Sequence, residues 1–220
     1  MDLSLTPEQE MLKTAVRSFV HQEYPKETLL KIASPTESTP TEPWEQLIKT
    51  GWLGILIPTE YGGEGGSFTD AGVLFEELGR GPVPGPHLSS AVVAALTLLE
   101  GGTEEQKKEW LPLMATGEVR MVVAITEDDF GWLESDVQLS AEQTGSRLTL
   151  NGSKSYVFDG ETATHLLCAV RSKESNEVGL VIVPADSVGI TIRHLPGFAW
   201  NQSSISMEDV GADSVNVLGE

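Results

Sequence analysis

Gly117-Glu118-Val119-Arg120-Met121-Val122-Val123-Ala124-Ile125-Thr126 is the stretch at which the chain changes character. Before it, apolar residues recur at helical spacing. From Met121 onward the period shifts to two. Reading backward, Thr103-Glu104-Glu105-Gln106 is a capping box that opens a helix carrying Trp110, Leu111 and Met114. Residues 89–99 are apolar nearly all round, which predicts a buried central helix ended by Gly101-Gly102. A helix beginning near Thr69 sets Ala71, Leu74, Phe75 and Leu78 on one face. Thr6-Pro7-Glu8-Gln9 starts the first helix: Thr caps, Pro takes the first turn, and Gln9 closes the box. Leu12, Ala15, Val16, Phe19 and Val20 then follow at helical spacing. Shorter helices are expected over 25–33 and around Trp44, Leu47 and Ile48, divided by the Pro-bearing segment 34–42.

Reading forward, 121–126, 165–171, 180–184, 190–195 and 204–208 are expected strands. Residues 147–150, Asn151-Gly152 and 153–158 read as a hairpin with a tight turn. Short strands parted by polar or Gly-containing turns predict a compact antiparallel barrel or sandwich. Helices first and strands second, rather than alternating, argues against a doubly wound fold. The expectation is therefore an α+β chain of two domains: residues 1–117 α-helical, residues 118–220 a β domain.

Composition limits what such a chain does. It has 220 residues, 40% of them hydrophobic, with a net charge of −19. That charge argues against nucleic acid and against an anionic membrane surface, since phosphate contacts need clustered Lys and Arg. Neither half is a basic module: residues 1–117 hold 8 basic and 17 acidic residues, and residues 118–220 hold 6 basic and 16 acidic. The single cysteine, Cys168, lies in an apolar run and reads as core, and one cysteine makes no disulfide within the chain. His21, His87, His165 and His194 are scattered, with no zinc spacing, and His194 reads as structural. Ser89-Ser90 reads as a helix start, with the lining of an apolar pocket as the alternative. No apolar stretch is long enough to span a membrane and the N-terminus has no signal-peptide pattern, so the expected compartment is the cytoplasm. There is no Gly-x-Ser-x-Gly elbow. Gly62-Gly63-Glu64-Gly65-Gly66 matches neither nucleotide fingerprint, and its glycines are expected to serve turns with positive φ.

Two clusters carry a family resemblance. The first is Ile48-Lys49-Thr50-Gly51-Trp52-Leu53-Gly54-Ile55, then Ile57-Pro58-Thr59-Glu60-Tyr61-Gly62-Gly63-Glu64-Gly65 and Phe75-Glu76-Glu77-Leu78-Gly79-Arg80. The second is Ala124-Ile125-Thr126-Glu127, then Leu150-Asn151-Gly152-Ser153-Lys154 and Tyr156-Val157. With Met207-Glu208-Asp209-Val210 and Val217-Leu218-Gly219-Glu220, their order and spacing resemble the first and middle domains of FAD-dependent acyl-CoA dehydrogenases.

The resemblance implies a helical domain, a β domain and then a helical third domain that carries the catalytic base, a Glu in most members. The sequence stops where that domain would begin, so a cut from a longer protein is expected, with a natively short chain as the alternative. It implies FAD as cofactor and an acyl-CoA thioester as substrate. The chain by itself is then expected to be inactive, and to self-associate or bind a partner chain as a homo- or hetero-oligomer. Thr126 is expected at the flavin's pyrimidine edge; the alternative is a strand-end Thr that serves the backbone. Ser135 matches the Ser that touches phosphate or acyl-CoA, but the intervening stretch 128–134 is longer and more acidic than the family's, and Glu134 replaces a Gly. Tyr156 is expected to lie against the isoalloxazine ring. Phe158 stands where a Thr would help hold flavin N5; the alternative is a strand core residue. A non-catalytic subunit, or a flavin monooxygenase or nitroalkane oxidase on the same fold, are the competing readings.

Overall fold

The computed structural model describes residues 4–32, 42–197 and 201–219. The Pro-bearing segment 34–41 and the end of the second expected helix, Ala33, lie outside them.

The helical part is built from strongly capped pieces. α1 (Pro7–Glu23) and α4 (Phe68–Arg80) each begin with a full capping box, Thr6 with Gln9 and Ser67 with Asp70. The two boxes are tied together, because Gln9 Nε2 donates to Asp70 Oδ1 at 2.9 Å. At the other end of the pair, Glu77 is buried and accepts from Arg17 Nε at 2.9 Å and from Arg80 Nε at 3.1 Å. Val16, Val20, Leu74 and Leu78 fill the space between the helices. The short helices α2 (Lys26–Ile32) and α3 (Glu42–Ile48) lie between the two in sequence. The glycine-rich turn behaves as a turn. Gly63 cannot be replaced there, since a Cβ would stand 2.1 Å from the Ile57 carbonyl oxygen.

The central apolar helix exists but begins as a π-helical stretch, Ser89–Ala94, before α5 (Ala95–Gly101). Ser89-Ser90 do not cap it: Leu88 is the N-cap residue and makes no side-chain cap. Ser90 is buried and its Oγ accepts from the backbone N–H of Met121 at 3.2 Å, which pins the start of the sheet. α6 (Glu104–Ala115) follows, with the expected capping box.

Seven strands among the described residues form one curled sheet: β1 (Met121–Ala124), β2 (Ser140–Thr144), β3 (Arg147–Phe158), β4 (His165–Ser172), β5 (Val178–Pro184), β6 (Ile190–Leu195) and β7 (Gln202–Asp213). Two expectations are corrected. Asn151-Gly152 is no hairpin turn. β3 runs straight through it, paired with β7, and the register slips between Leu150 and Gly152 and again between Lys154 and Val157. The hairpin lies upstream, between β2 and β3 at Gly145-Ser146. Nor is the sheet wholly antiparallel: β1 and the start of β2 both pair parallel to β4, one after the other along the same edge. Loop 125–139 leaves the sheet between those pairings. The curl closes where Val181 bridges Val217 and Leu218 N–H donates to the Leu180 carbonyl at 2.8 Å.

Strand alternation divides the apolar residues between two cores. Val122, Ala124, Leu166, Cys168, Val181 and Val183 point inside the curl. Met121, Leu167 and Ile182 point out of it, into a core shared with Ile57, Leu98, Leu111 and Met114 of the helical part.

Candidate functional site

The candidate site forms where β1 ends and loop 125–139 departs. Its foundation is a buried ion pair. On β3 the inward phase runs Leu148, Leu150 and then Lys154, which is fully buried. Lys154 Nζ donates to Glu127 Oε1 at 2.6 Å and to the Ile125 carbonyl at 3.0 Å. Glu127 also accepts from the backbone N–H groups of Gln138 and Leu139, each at 2.9 Å. One carboxylate therefore holds both limbs of the loop against the sheet. Burial pulls the Lys154 ammonium below the ordinary lysine range, opposed by Glu127 beside it. Such a pair adds little net stability, but removing one partner strands a charge in the core.

Three of the four residues singled out from sequence gather above this pair. The Ser155 N–H donates to the Thr126 carbonyl at 2.8 Å, which sets Tyr156 beside Thr126. The Ser155 hydroxyl donates to Asp128, anchoring the first turn of the loop. The Thr126 hydroxyl is half-buried and has no hydrogen-bond partner among the described residues. The second register slip puts Tyr156 in a left-handed conformation, φ 58°, and turns Phe158 outward, 42% exposed. Phe158 is therefore not a core residue of the strand. Beside it Asp159 is also left-handed, and burial pushes its carboxyl up to about 6.

Ser135 stands apart. It sits in a 3-10 turn (Glu134–Asp136) on the far limb of the loop, exposed, and its hydroxyl donates to Asp136 Oδ1 at 3.1 Å. Arg171 holds that limb by donating to the carbonyls of Glu134 and Val137. Glu134 is exposed, and residues 127–136 hold five carboxylates and no Lys or Arg.

Phe130 carries no signal of a role in the sequence. Its ring stacks on Tyr156, with centroids 4.2 Å apart and planes 21° off parallel. Lys154 and Glu127 were likewise not expected as the loop's anchor. A lysine in phase with Leu148 and Leu150 was the available signal. Cys168 is fully buried as its apolar run implied, its thiol pushed up to about 12 by burial, whereas His194 is exposed and makes a surface pair with Glu161. Among the described residues no cluster of metal-ligating side chains occurs, and no helix is long and apolar enough to cross a membrane.

Chemically, the arrangement holds an aromatic ring with one face covered by Phe130, an open hydroxyl and strand-end backbone groups on a rigid base. That fits the edge and face of a fused ring that both donates and accepts hydrogen bonds. The far limb does not fit a pyrophosphate, because its hydroxyl is engaged and its charges are negative.

Comparison with known proteins points the same way. Residues 6–118 match the family described as "Acyl-CoA dehydrogenase, N-terminal domain". The chain is 29% identical over its whole length to the probable acyl-CoA dehydrogenase YngJ of Bacillus subtilis, covering 60% of that protein. It is 31% identical to acyl-CoA dehydrogenase FadE12 of Mycobacterium tuberculosis over 94% of the chain and 51% of the relative. Its fold superposes on a chain of the ChsE4-ChsE5 complex from Mycobacterium tuberculosis with a TM-score of 0.89 at 27% identity, covering all of this chain and 58% of that one. An acyl-CoA dehydrogenase from Geobacillus kaustophilus gives 0.87 at 26% identity, with 60% of its length covered. The chain thus spans between half and three-fifths of these relatives.

Proposed function

Because the chain belongs to the acyl-CoA dehydrogenase family, whose cofactor is FAD, we propose that it supplies the flavin-ring platform of an oxidoreductase acting on acyl-CoA thioesters. The observation that carries this reading is the joining of Thr126 and Tyr156 by the Ser155 N–H, over the buried Lys154–Glu127 pair. Tyr156 is the flavin ring's stacking partner, through a face on which Phe130 now lies. The Thr126 hydroxyl and neighbouring backbone groups address its polar edge. Phe158 lends no hydrogen bond through its side chain, so contact near N5 falls to backbone. When bound, the flavin supplies the acceptor for a hydride leaving Cβ of the acyl chain. The protein's part here is orientation and exclusion of water.

The far limb leaves the pyrophosphate without a counter-charge, so cations for it are supplied by another chain or another segment. Proton abstraction likewise has no group assigned to it among these residues. Asp128 is engaged with Ser155, and Asp159 is half-buried beside Phe158. We therefore assign this region binding rather than turnover, in an assembly with itself or with a related chain. A second reading, a subunit that keeps the fold and has given up the chemistry, is favoured by Phe158 and the acidic loop.

The test is a titration of the purified chain with riboflavin and with FAD, followed by flavin absorption and fluorescence. Binding of both is expected, with FAD the weaker and the gap between them widening at low salt. Failure to take up either flavin at saturating concentration, with Tyr156→Asn indistinguishable from the unsubstituted chain, would overturn the flavin reading.

A further inference from the structure

The loop tip carries a residue that the flavin reading does not use. Phe130 is the outer member of the pair with Tyr156, 58% exposed while Tyr156 is half-buried. Rings whose centroids lie 4.2 Å apart are in contact, and no third ring fits between them. The stack is held from both sides. Phe130 adopts φ 60°, a left-handed conformation that a bulky L residue avoids. The turn is closed by its own N–H, which donates to the Glu127 carbonyl at 3.1 Å, and by the Gly131 N–H, which donates to Asp129 Oδ1 at 3.1 Å. Below the turn, Asp128 is bound by Ser155 and Glu127 by Lys154. The loop is thus folded so that Phe130 covers one face of the Tyr156 ring. Beyond the turn, Trp132 and Leu133 are exposed. Moving Phe130 therefore disturbs the turn's own hydrogen bonds, among them Leu133 N–H to Asp136 Oδ2 at 2.9 Å, but no core packing of Trp132 or Leu133.

We propose that Phe130 sets the affinity and selectivity of this site for planar ligands: it occupies the stacking face of Tyr156 and must swing away before a flavin-like ring settles there. The inference rests on the flavin-platform reading and adds to it a residue that competes with the ligand for one surface. A ring entering the site gains its own stack on Tyr156 but loses the Phe130 stack, so the net gain is smaller than at an open face. A ligand with too small a ring to replace that contact is refused.

The experiment compares three chains by quenching of riboflavin fluorescence, with lumichrome as a second planar probe free of any sugar or phosphate. Phe130→Gly removes the ring and accepts the left-handed conformation without strain. Phe130→Leu keeps apolar bulk but no ring. Tyr156→Asn removes the stacking face while tolerating its backbone angle. The expected result is riboflavin binding about three- to tenfold tighter in Phe130→Gly, matching loss of one aromatic pair from the competition, with Phe130→Leu in between. Tyr156→Asn is expected to abolish binding. Phe130→Gly binding as the unsubstituted chain does, or more weakly, while Tyr156→Asn loses binding, overturns the proposal and leaves the platform reading standing. Binding unchanged by Tyr156→Asn, or absent from every chain, overturns both. Should Phe130→Gly not fold, Phe130→Leu alone decides, with tightening expected and no change or weakening overturning the proposal.

Discussion

Asp159 and His87 are each perturbed by burial, and in opposite senses. The Asp159 carboxyl is raised from 3.8 to about 6, so the folded chain holds that proton more firmly than the unfolded one. Its contribution to stability is complete below about pH 4 and is lost as pH rises through about 6. The His87 imidazole is lowered from 6.5 to about 4, and its Nδ1 is buried without a partner among the described residues. Its contribution is complete above about 6.5 and is lost as pH falls toward 4. The two slopes oppose each other across one window. Asp159→Asn, which tolerates φ 54°, is expected to raise stability at neutral pH by about 2 kcal/mol and leave it unchanged below pH 4. Thermal melts from pH 3.5 to 8 check this: the variant should show a steeper acid loss than the unsubstituted chain, because His87 then acts alone. At this scale the sequence was legible in part. Thr126 and Tyr156 stood out as residues, and the Ser155 N–H to Thr126 carbonyl bond sets them side by side; their roles toward a flavin belong to the proposal. The Phe130–Tyr156 contact was not legible, because it depends on positive φ at two residues that are not glycine, and nothing in a residue's identity announces that.

Capping boxes were the most readable elements. Thr6 and Thr103 start helices as read, since a hydroxyl followed three residues later by Gln satisfies two orphan N–H groups locally; the Ser67–Asp70 box works the same way but went unread, and its helix was expected from near Thr69. Gln106 does more than cap. It is buried, its Oε1 accepts from Thr103 N–H at 3.0 Å and Gly219 N–H at 3.1 Å, and its Nε2 donates to the carbonyls of Val215 and Val217. It joins the start of α6 to the segment that closes the sheet. Gln106→Leu is expected to cost about 2–3 kcal/mol in urea unfolding, against about 1 kcal/mol for Thr103→Ala, because the second loses only the cap. Elements set by long-range pairing were less readable. Asn151-Gly152 carries the strongest short-range hairpin signal in the β half, yet β7 lies alongside and converts the site into a bulge. There Gly152, at φ 140°, leaves room for Leu139, whose Cα would lie 3.0 Å from an added Cβ. β2 went unread because Ser140-Ala141-Glu142-Gln143-Thr144 offers only one apolar residue to the core.

For the molecule as a whole, the change of period near Gly117 announced the order of helices and strands, but the seam between them was hidden. Residues that look like ordinary strand interior, Met121, Leu167 and Ile182, face the helices and share a core with Leu98, Leu111 and Met114. Residues 118–220 made alone are therefore expected to expose this outer face, bind a hydrophobic dye and aggregate. A dispersed amide spectrum from that piece in dilute buffer would count against the shared core. The same wiring also fixes a timetable. The capped helices and the β2–β3 hairpin need only near neighbours to form, whereas β1 waits for β4 and the second half of β3 waits for β7, the last of the described strands. Loop closure over such spans is slow. The helical part thus stands ready first and offers Leu98, Leu111 and Met114 as a surface on which the late strands collect, so the order of assembly follows the order of synthesis.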